Sequence, residues 1–261
     1  MQLRDARFLI GMGLALCALA GCHPTVGGGR SRDVRQDVQL REEGNVPHRA
    51  SQNDIALAQQ YIEQGQYEVA LDRLQNAVKL EPSSADAYTM LGLLYERINR
   101  PAQAEASYAK SAKLAPDKGD ILNNYGAWLC RSGHPLESDV WFRKALGDPF
   151  YKTPTAAMGN ASACALKADK PELAEGYDRQ ILAIDAANAG ALQDLAAILF
   201  QRGDFLRARG FMERLLSTAK ATPDMLDQAA RIEDKLGDAA AARGYRNRIA
   251  TEFPQYTPGK L

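Results

Sequence analysis

Residues 57–82 carry Leu57-Ala58-Gln59-Gln60-Tyr61, then Ala70, Leu74, Ala77 and Pro82. The same series returns 34 positions later as Leu91-Gly92-Leu93-Leu94-Tyr95, Ala104, Tyr108, Ser111 and Pro116. A fixed period of this length, with apolar residues at helical spacing, describes a helix-turn-helix unit. Such a unit cannot bury its apolar face alone and must stack on its neighbours. The small residue beside the leading leucine marks the place where the two helices of a unit cross. A stacked array of this kind is a surface for holding other chains, so binding rather than catalysis is expected of it.

Walking outward, the period predicts six units: 51–84, 85–118, 119–152, 155–188, 189–222 and 223–256. The crossing slot reads Ala58, Gly92, Gly126, Ser162, Ala196 and Ala230. Gly65, Asn99-Arg100-Pro101, Gly133, Gly203 and Gly237 sit at the turns between paired helices, and Pro101 fits the first turn of a second helix. In the third unit Ser138 replaces the usual alanine and Pro149 arrives one residue early. A two-residue insertion follows within Gly147–Pro154. In the fourth unit Asp178 stands where an aromatic residue is expected. In the sixth, Glu233 and Arg246 occupy slots that are otherwise apolar, as suits a terminal unit facing water. The pattern resembles the tetratricopeptide repeat (TPR). That implies an all-α, right-handed superhelical solenoid of six repeats over 51–256, with 257–261 as a tail.

The N-terminus reads differently. Arg4 and Arg7 precede an apolar run, Phe8 to Ala20, too short to span a membrane permanently. Leu19-Ala20-Gly21-Cys22 then resembles the bacterial lipobox. The resemblance implies cleavage of residues 1–21 and acylation of Cys22. Several acyl chains anchor stably, since each buried CH₂ contributes about 0.8 kcal/mol. The competing reading is an ordinary cleavage site with an incidental cysteine. His23 follows where aspartate commonly holds lipoproteins in the inner membrane, which points to the outer membrane of a Gram-negative envelope. Residues 22–50, with Gly27-Gly28-Gly29, a charged run from Arg30 to Glu43 and a stop at Pro47, are expected to form a flexible tether.

Projected on their axes, the first helices place one set of side chains away from the crossing slot: Ile55, Gln59 and Ile62; Thr89, Leu93 and Glu96; Asn123, Ala127 and Cys130. Later units supply Gly159 and Leu166, then Gln193, Ala197 and Phe200, then Asp227 and Arg231. Apolar residues on a face not used for core packing mark a binding surface. Ile55, Gln59, Ile62, Thr89, Leu93, Glu96, Asn123 and Phe200 are therefore the expected partner groove. The competing reading is packing on the neighbouring helix or the tether.

Three segments carry a narrower resemblance. They are Asn123-Asn124-Tyr125-Gly126 with Leu129-Cys130, Lys144-Ala145-Leu146 with Asp148-Pro149, Tyr151 and Thr153-Pro154, and Asn160 with Cys164-Ala165-Leu166. Together they resemble the PilW/PilF family of type IV pilus biogenesis and stability lipoproteins, or pilotins. The resemblance implies an outer-membrane lipoprotein that helps the pilus secretin reach the outer membrane and assemble into a ring. A general envelope scaffold using the same groove for another machine is the alternative. Trp128, between Gly126 and Leu129, has no reading from the sequence. Asn123 and Asn124 have a structural alternative near the inter-repeat turn.

Other functions find little support. The chain has 261 residues with 32 basic and 32 acidic side chains, a formal net charge of zero that gives no footprint for nucleic acid. Cys130 and Cys164 lie late in the first helices of adjacent units, near enough for a disulfide in an oxidising periplasm or for two buried thiols. His23, His48 and His134 have no acidic or cysteine partners at ligand spacing, so no metal or cofactor is expected. No nucleophile or phosphate-loop motif occurs, and no enzyme is expected. The expected partners are the secretin protein and outer-membrane lipid, with the chain itself a monomer.

Overall fold

The structure, a computed structural model, describes residues 31–256, and of residues 31–45 only the helical backbone. Cys22 and the lipobox lie outside the described residues. The chain divides into two units, residues 1–44 and 45–261, and the repeats belong to the second. Among the described residues there are twelve helices and no strand. They pair as α1 (Ser31–Glu63) with α2 (Tyr67–Leu80), α3 (Ala85–Arg97) with α4 (Pro101–Leu114) and α5 (Gly119–Arg131) with α6 (Pro135–Leu146). Then come α7 (Pro154–Lys167) with α8 (Pro171–Ile184), α9 (Ala189–Gln201) with α10 (Phe205–Thr218), and α11 (Pro223–Leu236) with α12 (Ala239–Glu252).

One expectation is corrected here. Pro47 does not end a helix; it lies inside α1, which begins at Ser31. An internal proline removes one backbone hydrogen bond rather than the whole ladder. Arg, Gln and Glu recur in the preceding stretch and, with Leu40, are good helix formers. Beyond Pro47 the helix is fixed by the first hairpin. Ser51 Oγ donates to the Ala77 carbonyl at 3.2 Å, and His48 Nδ1 lies 3.0 Å from Glu81 Oε2.

Each hairpin turns on one residue in the left-handed region: Gly65, Asn99, Gly133, Asp169, Gly203 and Gly237, with φ from 54° to 98°. Asn and Asp tolerate this conformation better than other residues with a Cβ. Second helices open on Pro101, Pro135 and Pro171, where the missing N–H is not needed. Ser84, Asn188 and Thr222 cap first helices by accepting a backbone N–H three residues on.

The crossing slot faces a residue sixteen positions later on the partner helix, and the two sides compensate in volume. Gly92 faces Tyr108, where a Cβ on the glycine would lie 2.8 Å from the ring. Gly126 faces Phe142, where the same atom would lie 3.0 Å away. Ala58 shares its cluster with Leu74, and Ala196 shares its cluster with Met212. In the fourth unit the equivalent positions are Ser162 and Asp178, both buried. In the sixth, Arg246 is exposed and pairs with Asp234 on α11. In the middle of the array neighbouring first helices also come close, α3 against α5 and α5 against α7.

Three outcomes follow for stability. Gly176 lies in α8 with open space around it, so Gly176→Ala should raise unfolding stability by about 0.5–1 kcal/mol. Gly92→Ala should instead lower it by about 1–3 kcal/mol in the same urea titration, because the added methyl meets the Tyr108 ring. Asp178 is 1% exposed with Oδ2 lacking a hydrogen-bond partner, and burial pushes its carboxyl up from 3.8 to about 7. Burial raises Asp194 in the same direction. Between those two values folded Asp178 holds a proton that the unfolded chain has lost, so stability falls as pH rises through this window. Asp178→Asn should flatten that decline and unfold at a higher temperature than the wild type at neutral pH.

Candidate functional site

The turn end of the first two units forms a depression of about 720 Å³. It is lined by Gln59, Ile62 and Glu63 of α1, Gln64 and Gly65 of the turn, Tyr67 of α2, and Met90, Leu93 and Arg97 of α3. Its apolar surface comes from Ile62, Tyr67, Met90 and Leu93, and its edge is polar and carries both signs of charge. The volume lies within the range of small-ligand and side-chain pockets, which pair an apolar lining with a few polar groups. Three groove residues expected from the sequence, Gln59, Ile62 and Leu93, meet here. The arrangement can desolvate an apolar anchor from a partner while Arg97 and Glu63 hold its polar edges.

The other expected groove residues have different roles. Ile55 is 9% exposed, packs in the first core cluster with Ala87, Leu91 and Leu94, and does not line the depression, whereas Ile62 of the same cluster reaches it. Its column reads Ile55, Thr89, Asn123, Gly159, Gln193 and Asp227, and only the first member is a large apolar residue. Thr89 Oγ1 donates to the Ala85 carbonyl at 3.1 Å and lies 2.6 Å from Ser111 Oγ, tying α3 to α4. Glu96 accepts both Nε and Nη2 of Arg131, at 2.7 and 2.9 Å, and the Tyr108 hydroxyl at 3.3 Å. Burial first, then Glu96, pushes the Tyr108 hydroxyl up, and the bond to Glu96 raises the Arg131 guanidinium. Glu96 is thus committed to joining α3, α4 and α5 and is not free for a partner. Asn123 accepts from Asn160 Nδ2 at 3.0 Å, linking α5 to α7. Phe200 is half-buried, edge-on to Phe205 at 5.4 Å, with the Arg231 guanidinium 5.3 Å from its centroid.

Cys130 and Cys164 are joined in a disulfide with Cα atoms 5.8 Å apart, across a sequence separation of 34. The junction it spans is the one with the insertion. Asp148 accepts the Gly119 N–H at 2.9 Å and the Phe150 N–H at 2.8 Å, and these bonds hold its carboxyl below the usual range. Tyr151 then folds back over Gly119, where a Cβ would lie 2.6 Å from its ring.

Sequence reasoning missed one core column. Leu94, Trp128, Cys164, Ile198 and Ile232 are equivalent and all buried. Trp128 packs between Tyr108, at 5.9 Å, and Tyr125, at 6.1 Å. The column is apolar in five units of six, with Gln60 in the first, so the repeat period itself carried the signal.

The repeat models "TPR repeat" and "Tetratricopeptide repeat" match residues 58–99 and 85–118. The crystal structure of PilW, described as a widely conserved type IV pilus biogenesis factor, superposes with a TM-score of 0.68 at 30% identity. That match covers 79% of this chain and 94% of PilW. The chain belongs to the PilW/PilF family of TPR proteins. The type IV pilus assembly protein PilF of Pseudomonas aeruginosa is 23% identical over 206 residues, 79% of this chain and 76% of PilF. The solved Pseudomonas aeruginosa PilF gives a TM-score of 0.69 at 22% identity, covering 80% of this chain and 95% of that one, which bears on the fold alone. The TPR solenoid read from the 34-residue period is therefore the fold of this PilW/PilF-family chain.

A crosslink closing a loop of this length stabilises by roughly 3–4 kcal/mol, chiefly through the unfolded chain. A thiol reductant should lower the melting temperature of the wild type. Cys130→Ser/Cys164→Ser should melt at the reduced temperature and show no response to reductant.

Proposed function

We propose that this PilW/PilF-family chain is an outer-membrane lipoprotein for type IV pilus biogenesis, a pilotin. It binds secretin subunits through the depression between α1 and α3 and promotes their outer-membrane localisation and ring assembly. The observation that carries this reading is the convergence of Tyr67, Met90 and Leu93 with the largely buried Ile62 in one depression, half of it apolar, on the turn end of the first two units. An apolar anchor buried at the centre of a contact commonly dominates binding energy. Arg97 and Glu63 at the edge favour a segment with mixed polar flanks. Acylated Cys22 supplies the membrane address on the periplasmic face, and the repeats supply the grip. The chain works as a non-enzymatic monomer in this scheme.

The test uses two variants. Leu93→Asp places a charge in the depression. It should weaken capture of the secretin from envelope extracts about 30-fold or more, as loss of a dominant anchor does, while thermal unfolding barely moves. Cys22→Ala should release the protein from the outer membrane and leave fewer secretin rings. Undiminished capture by Leu93→Asp places the contact elsewhere. Recovery of a different envelope machine, with no secretin, favours a general scaffold. Sedimentation of Cys22→Ala with membranes, unchanged, removes the acyl anchor.

A further inference from the structure

Apart from Val46, the most open large hydrophobic side chains lie on or just after second helices. Leu136 and Val140 on α6, Phe150 just after it, Ile184 at the end of α8 and Leu206 on α10 are 46–86% exposed. All belong to the row of second helices or the loop that follows one. The cleft between α8 and α10, about 460 Å³, is lined by Arg179, Leu206, Arg207, Gly210, Phe211 and Arg214, with no carboxylate among them. The guanidinium groups of Arg179 and Arg214 lie 5.9 and 5.5 Å from the centroid of the same Phe211 ring. Arg179 pairs with Glu175, and Arg207 with Asp204. Arg214 donates to the Ala186 carbonyl at 2.9 Å. Among the described residues no carboxylate ion-pairs with it.

Guanidinium groups present forks that match phosphate oxygens, and several around one aromatic floor select an anion attached to an apolar body. An acidic protein segment would satisfy the arginines. It would leave Leu136, Val140, Phe150 and Ile184 on neighbouring helices still in water. Single exposed apolar side chains on the helices beside this arginine-lined cleft fit a lipid interface instead. We propose that the cleft between α8 and α10 is a headgroup site for an anionic phospholipid, and that it seats the row of second helices against a membrane surface. The site is independent of which protein the α1–α3 depression holds.

Leu206→Trp puts a reporter at the mouth of the cleft, read against the unsubstituted chain to remove Trp128 and Trp141. In vesicles containing phosphatidylglycerol its emission should shift to shorter wavelength and be quenched by brominated acyl chains. In phosphatidylcholine alone it should not, even where the N-terminus holds the chain on the vesicle. Adding Arg179→Gln and Arg214→Gln should weaken the response roughly 30-fold, about fivefold per arginine, with the melting temperature preserved. The proposal is overturned by an unchanged emission with phosphatidylglycerol, by an equal response on phosphatidylcholine, or by a response that survives loss of both arginines. It is equally overturned by a blue shift that grows with protein concentration without vesicles, which would report self-association. Secretin capture by Leu93→Asp is read separately, so either idea can fail alone.

Discussion

The close approach of two helices at a single slot governs the molecule. Every helix after α1 is about four turns or fewer, too short to persist alone in water, so each must gain its stability from packing. Packing at this density requires the summed volume across the crossing to stay nearly constant. The chain meets that requirement by trading size between partners: glycine against an aromatic ring, alanine against leucine or methionine. Where the fourth unit breaks the pattern with Ser162 and Asp178, the hydroxyl and carboxyl replace hydrocarbon, and one carboxyl oxygen is left without a partner. The cost appears as a carboxyl that resists ionisation. The sixth unit breaks it differently. Arg246 faces outward to Asp234, whereas Glu233, also expected to face water, is buried against Arg209.

Between hairpins the joints are polar as well as apolar. Glu96 gathers Tyr108 and Arg131 from the helices on either side. Tyr177 donates to Asp139 across α8 and α6, and Glu233 receives Arg209 from α10. These contacts fix how one hairpin is set on the next, which sets the surface a partner meets. A depression formed by two units depends on that setting. The α1–α3 site is therefore a property of the stack rather than of either hairpin.

Much of this was legible in the sequence. The 34-residue period located the units, the small residues located the crossings, and glycine or asparagine located five of the six left-handed turns. Asp169 was the sixth, hidden because an aspartate marks a left-handed turn less plainly than glycine or asparagine does. The helix containing Pro47 was not legible, since a missing N–H weakens a helix without dictating where it ends. Groove membership was read from helical projection, and that method sees one helix at a time. Gln59, Ile62 and Leu93, taken from that projection, line one depression. The method failed for Ile55, which a neighbouring helix covers, and for Glu96, which two neighbours engage. The arginine cleft was invisible for the same reason, because its walls come from helices some thirty residues apart in the chain.

The disulfide and the folded-back loop occupy the same joint, between the third and fourth hairpins. Linear arrays open from their ends, each lost hairpin loosening the next, because every unit touches only its neighbours. An opening front that enters from either terminus therefore reaches, midway, a seam that is covalently stitched and braced by Asp148. Each half can fray without dragging the other apart. The array behaves as two shorter springs riveted together, and damage at one end stays local.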